Sequence, residues 1–114
     1  MQNPANYNIT AYQGATYKLN MTYKIDDTPV NLTNYTAAMQ VRETPTSASA
    51  VISLTNGSGI TLGGTAGTIA INVPASTMGA ADAGFYQYDL ELNSAGEVTR
   101  LLQGKFEIVA EVTR

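Results

Sequence analysis

From Ala15 to Ile25 the chain alternates without a break between apolar or aromatic residues (Ala15, Tyr17, Leu19, Met21, Tyr23, Ile25) and polar ones (Thr16, Lys18, Asn20, Thr22, Lys24). Side chains two residues apart share a face only in an extended strand; a helix would scatter them around its axis. The segment is therefore expected to be a β-strand with one buried and one wetted face. The same period returns along the chain. Tyr35, Ala37, Met39 and Val41 alternate with Thr36, Ala38, Gln40 and Arg42, and Ile69, Ile71 and Val73 share one face of Thr68 to Val73. Tyr86, Tyr88, Leu90 and Leu92 alternate with Phe85, Gln87, Asp89 and Glu91. Tyr7, Ile9 and Ala11 give a weaker strand, Val51 to Leu54 a short one, and Ile60-Thr61-Leu62 reads as a brief pairing segment. The final stretch carries Val98, Leu102, Phe106, Ile108, Ala110 and Val112, with Gly104 expected as a bulge in a long strand.

Turn formers punctuate these runs. Gln13-Gly14, Asp26-Asp27-Thr28-Pro29, the loop Thr44 to Ser49, Asn56-Gly57-Ser58-Gly59, Gly63-Gly64 and Asn93-Ser94-Ala95-Gly96 all fall between them. Only Pro74 to Met78 reads as helical, for about one turn with Pro at its first position. About seven to nine short strands at roughly ten-residue spacing predict an all-β, antiparallel sandwich. At 114 residues the chain is expected to be a single domain over 1–114, with the polar, Pro-containing residues 1–6 as a candidate N-terminal arm.

The stretch Asp82-Ala83-Gly84-Phe85-Tyr86-Gln87-Tyr88-Asp89 refines that expectation. In immunoglobulin-like sandwiches a Tyr at the corner before a core strand bonds its hydroxyl to upstream backbone, and a core residue follows two positions later. Tyr86 takes the corner position here, Tyr88 the place where an antibody domain has Cys, and Asp82 and Gly84 form the turn. The chain contains no cysteine, so no disulfide supports the core and packing must do so alone.

Composition excludes several functions. A net charge of −3, with six Lys and Arg spread along the chain, leaves no footprint for a phosphate backbone, so no nucleic-acid partner is expected. No apolar run reaches membrane-spanning length, and the first ten residues lack a signal peptide's basic start and apolar centre. Without His or Cys the usual zinc and copper ligands and the Cys–His nucleophile pair are missing. Asp26-Asp27 and Asp82 read as turn formers rather than as a calcium loop, which spaces its acids regularly. Gly57, Gly59, Gly63, Gly64 and Gly67 lack the Lys and Ser or Thr of a phosphate loop. Asp89 and Glu91 share the outer face of one strand, and Glu107 and Glu111 that of the last. An open sheet face gives neither the cleft nor the burial that acid catalysis requires. The expectation is a protein that is not an enzyme and uses no cofactor or metal. Candidate interface residues are Tyr7, Tyr12 and Tyr35, which offer rigid contact area, together with Asp89, Glu91 and Glu107.

The order of signatures also resembles a known family. It comprises YNITAYQGATY, DDTPVNLTNYTAAMQVRE, GTIAINVPASTM, DAGFYQYDLEL and GEVTRLLQGKFEIVAEVTR. The chain is similar, from about Tyr12 to Arg114, to small immunoglobulin-like structural domains of tailed bacteriophages, the amino-terminal domain of baseplate upper proteins being the nearest form. The most specific parts are Asn31-Leu32-Thr33, the Tyr-x-Tyr-Asp at Tyr86 to Asp89, and Gly104 with the closing Glu111-Val112-Thr113-Arg114. The resemblance implies a non-enzymatic virion component, made in the host bacterial cytoplasm. It would dock through sheet edges and loops, in multiple symmetric copies, to other virion proteins of the tail or baseplate or to the major capsid protein. In baseplate upper proteins the domain continues into a C-terminal extension, whereas this sequence stops at Arg114. The expectation is thus a free-standing tail or baseplate subunit or adaptor, with a capsid decoration (cement) protein as the alternative. A carbohydrate-binding module for host attachment is the competing class. It requires an exposed aromatic platform or an acid–amide cluster in a groove.

Overall fold

The computed structural model describes residues 5–112; Met1 to Pro4 of the expected arm, and Thr113 and Arg114, lie outside the described residues. The strands are β1 (Ala5–Asn6), β2 (Ile9–Tyr12), β3 (Tyr17–Thr22), β4 (Lys24–Ile25), β5 (Thr28–Pro29) and β6 (Thr36–Arg42). They continue as β7 (Ile52–Asn56), β8 (Gly59–Leu62), β9 (Thr68–Val73), β10 (Gly84–Ser94) and β11 (Glu97–Val109). A 3-10 turn (Gly64–Ala66) precedes β9, and the helix α1 (Ala75–Ala80) links β9 to β10. Pro74 stands just before α1 rather than inside it, its carbonyl accepting the Met78 N–H at 3.0 Å, and Met78 is fully buried.

The fold is all-β, built on one sheet in the order β1–β11–β10–β6–β7–β8–β9–β3, with β2 also on β11 and with β4–β5 as a separate hairpin. The sheet curls. Tyr17 on β3 meets Phe106 on β11 edge to face at 6.1 Å between ring centroids, although the two strands lie towards opposite ends of the strand order. The buried side chains of the whole order therefore form one core. The alternating faces fall as the period-two pattern dictates: Ala37, Met39 and Val41 of β6, Ile69, Ile71 and Val73 of β9, and Tyr86, Tyr88, Leu90 and Leu92 of β10 are all buried.

The expected antiparallel sheet is in fact mixed. β10 pairs antiparallel with β11 and β6, as do β6 with β7 and β9 with β8 and β3. The β1 and β2 segments run parallel to β11, and β7 runs parallel to β8 over two residue pairs. A hairpin forces antiparallel pairing only on strands that it joins. No hairpin joins the first strands to the last. Between β7 and β8, Gly57 and Gly59 take φ of 88° and 96°, and the chain makes a tight loop rather than a reversal.

Three further expectations shift. The alternating run Ala15 to Ile25 is not one strand, because the β3 ladder ends where Thr22 faces Thr68. Beyond it the Tyr23 N–H donates to the Gly67 carbonyl at 2.8 Å, and the alternation continues into the β4–β5 hairpin, leaving Ile25 51% exposed. That hairpin turns on Asp26 and Asp27, both at positive φ (52° and 64°), a conformation short polar side chains tolerate. Second, the bulge in β11 lies not at Gly104 but at Leu101. Leu90 faces Leu102 and Glu91 faces Arg100, so Leu101 is the extra residue and turns into the core. Val98 and Val112 are exposed. Third, Gly104 serves close approach. A Cβ there would lie 2.5 Å from the Tyr7 carbonyl oxygen.

Gly104→Ala is expected to lower the unfolding free energy by about 1–3 kcal/mol, because the atom in the way is backbone of a paired segment. Urea denaturation measures it. Ala95, at φ 52° in the two-residue turn between β10 and β11, is strained without the means of Asn or Gly to relieve it. Ala95→Asn is expected to raise stability by about 1 kcal/mol in the same assay.

Candidate functional site

The Asp82–Asp89 stretch divides its residues between two faces of β10. Inward, the Tyr86 hydroxyl donates to the Asp82 carbonyl at 2.7 Å, closing the turn before the strand through main chain rather than through the Asp82 carboxylate. Gly84 opens β10 at φ 154°, and an added Cβ there would meet only Tyr86 at 3.9 Å, so backbone conformation rather than space favours glycine. Tyr88 packs edge to face on Phe106 at 6.1 Å, and its hydroxyl donates to the Tyr7 carbonyl at 2.5 Å. Burial first, then the neighbouring Tyr17 and Tyr7, push the Tyr88 hydroxyl well above the ordinary tyrosine value of 10.0. Burial, followed by Asp82 and Glu43, raises that of Tyr86.

The outer face is a polar lattice fixed by strand register. Gln87 lies between Arg42 on β6 and Lys105 on β11, and Asp89 between Gln40 and Gln103. Glu91 faces Arg100, whose guanidinium bridges Asp89 at 3.4 Å and Glu91 at 3.5 Å. These pairs are half-exposed and contribute at most about 1 kcal/mol to stability. Arg42 is held by the Ser47 carbonyl and by Gln40 Oε1, each at 2.7 Å. The Asn8 side chain accepts the Lys105 N–H at 3.1 Å and closes one wall. Together these groups line an open groove of about 730 Å³. Phe85, 73% exposed, occupies the next position along this face of β10, opposite Glu107.

The other candidates scatter. Tyr7 and Tyr12 are exposed (45% and 58%) along the β1–β2 side, while Tyr35 packs partly against the core. The pairing of β10 with β11 puts Asp89, Glu91 and Glu107 on one outer face, with Arg100 bridging the first two, while Glu111 lies over Gly14 with its N–H on the Gln13 side chain at 3.2 Å. Among the described residues no group of three or more His, Cys, Asp or Glu is placed to hold a metal ion. The arrangement can donate and accept many hydrogen bonds at once, without a nucleophile set against a base. Sequence reasoning placed Gln40, Arg42 and Gln87 on wet strand faces but missed that they adjoin, because the pairing of β6 with β10 has no local signal. No protein-family model matches the chain, and no curated protein shows significant similarity to it.

Tyr88→Phe is expected to cost about 1 kcal/mol and to speed amide exchange of β1 and β2, measured by denaturation and hydrogen exchange. The pH dependence follows from the raised hydroxyl. Its neutral form supports the fold fully below the unfolded value of 10.0 and that support fades as pH climbs towards the higher folded value. Stability is expected to decline above about pH 10, and Tyr88→Phe to remove part of that decline.

Proposed function

We propose that this chain is an immunoglobulin-like β-sandwich and a non-enzymatic structural subunit of a phage tail or baseplate, docking to neighbouring virion proteins. The contact of Tyr17 on β3 with Phe106 on β11 across the curl of the sheet supports the sandwich reading. So does the bond from Tyr86 to the Asp82 carbonyl, which has the connectivity of an immunoglobulin tyrosine corner. Within the segments that carry the phage resemblance, several residues are structural supports. Leu32 is a buried plug whose N–H reaches the Gly64 carbonyl at 2.8 Å, Tyr86 closes a corner, and Gly104 admits the N-terminal segment.

The observation that carries the docking role is the edge of β3. This six-residue strand ends the sheet order and, among the described residues, pairs only with β9, which leaves one row of its backbone groups open there. Proteins that avoid edge pairing shorten such strands or load them with charge; β3 carries Lys18 alone. Such a nearly neutral edge can accept a strand from a neighbour, a recurring way for a β subunit to bind extended chain.

Immunogold labelling of intact particles tests the reading: gold at the tail end is expected, gold on the head would turn it to the cement-protein alternative, and particles without label would sink it. Asn20→Lys with Thr22→Lys, which charges the β3 edge, is expected to reduce incorporation into particles while leaving the melting temperature of the isolated protein unchanged.

A further inference from the structure

The groove over β6, β10 and β11 selects a ligand class by its chemistry, and we infer that it binds a neutral saccharide. Its floor is a lattice with strands about 4.8 Å apart and same-face residues about 6.8 Å apart along each strand. On it, amides alternate with charged groups: Gln87 between Arg42 and Lys105, Asp89 between Gln40 and Gln103. A sugar hydroxyl donates and accepts at once, and such a mixed lattice satisfies both. An anionic ligand finds less. Arg100 is committed to Asp89 and Glu91, while Arg42 already donates to Gln40 and the Ser47 carbonyl, neutral partners that occupy its N–H groups without cancelling its charge. The two carboxylates of the lining face an incoming anion and leave its three cations, Arg42, Arg100 and Lys105, one net positive charge.

Two groups on this face have no occupation among the described residues. Among the described residues, the Gln87 side chain forms no hydrogen bond, though it sits at the centre of its row. Phe85 presents its ring to solvent at the next position, where a pyranose could lay its C–H face. An aromatic platform beside an acid–amide array is what saccharide recognition needs, and the groove's volume of about 730 Å³ suits a small ligand. A protein partner seated here would have to desolvate the Asp89–Arg100–Glu91 cluster, which is costly, whereas sugar hydroxyls replace its water. Tyr12, one of the three tyrosines expected at an interface, belongs to another part of the surface.

The test is an NMR titration of the full-length protein with neutral tri- and tetrasaccharides of glucose, galactose, mannose and N-acetylglucosamine at millimolar concentration. At least one is expected to give saturable amide shifts confined to residues 38–42, 85–91 and 100–107. Phe85→Ala and Gln87→Ala should each weaken that binding about tenfold or more, while Tyr12→Ala leaves it unchanged. No saturable shift with any sugar would overturn the inference, as would shifts elsewhere on the surface or binding that survives both variants. Preference for a sulfated or phosphorylated sugar, lost with Lys105→Ala, would overturn it in favour of an anion site. The titration uses isolated protein, so its outcome is independent of where the subunit sits in a particle.

Discussion

Phe106 holds the two ends of the sheet together. It is completely buried, faces Tyr86 across one ladder and Ile9 across the other, and makes edge-to-face contacts with Tyr17 and Tyr88 at 6.1 Å between centroids each. Edge-to-face geometry places the positive rim of one ring on the negative face of another and adds roughly 0.5–1.5 kcal/mol per pair to the area buried. In a chain without disulfides this aromatic trio spans the curl, joining β3 to β11 and β10. The rest of the core fills in behind it. Substituting Phe106 by a smaller residue would open a cavity where three strands meet, at a cost of about 3–5 kcal/mol.

A second dependence follows from Gly104, which pairs with Tyr88 across the β10–β11 ladder. Its missing side chain leaves a notch, the Tyr7 carbonyl enters that notch, and the Tyr88 hydroxyl reaches the same carbonyl. One glycine and one phenol thus anchor the N-terminal segment parallel to β11. This placement brings the Asn8 side chain to the Lys105 N–H, so the contact that fastens the chain's start also raises a wall of the outer groove. Stability and surface chemistry share a single fastening.

Local pattern carried most of the strand assignment, and non-local pairing carried what the pattern missed. Period-two alternation found β6, β9 and β10 with their buried residues, since one wet and one dry face leave a mark in any window of six residues. Turn chemistry found the loop after β7 and the β10–β11 hairpin. The same pattern overran β3, because Tyr23 and Ile25 keep the alternation after the partner strand has ended. It misplaced the bulge because a glycine needed for close approach looks like one needed for a kink. The parallel placement of β1 and β2 had no signal, as their partner is almost the whole chain away. The candidate site was legible only by strand: Phe85, Gln87, Asp89 and Glu91 read as one outer face, but their neighbours on β6 and β11 depended on register.

The two faces of β10 explain why the most distinctive stretch of sequence was also the least direct about function. Tyr86 and Tyr88 are buried and tied to backbone by their hydroxyls, so their identity answers to the fold. Phe85, Gln87 and Asp89 alternate with them on the outer side, and nothing in the core constrains them. Phe85 leaves a large aromatic ring in solvent on that side. Because a strand turns successive residues to opposite sides, each inner anchor fixes the position of its outer neighbours. The groove's side chains thus gain a rigid footing from the residues that support the core, and a ligand that reads Gln87 and Asp89 meets groups whose spacing is set before it arrives.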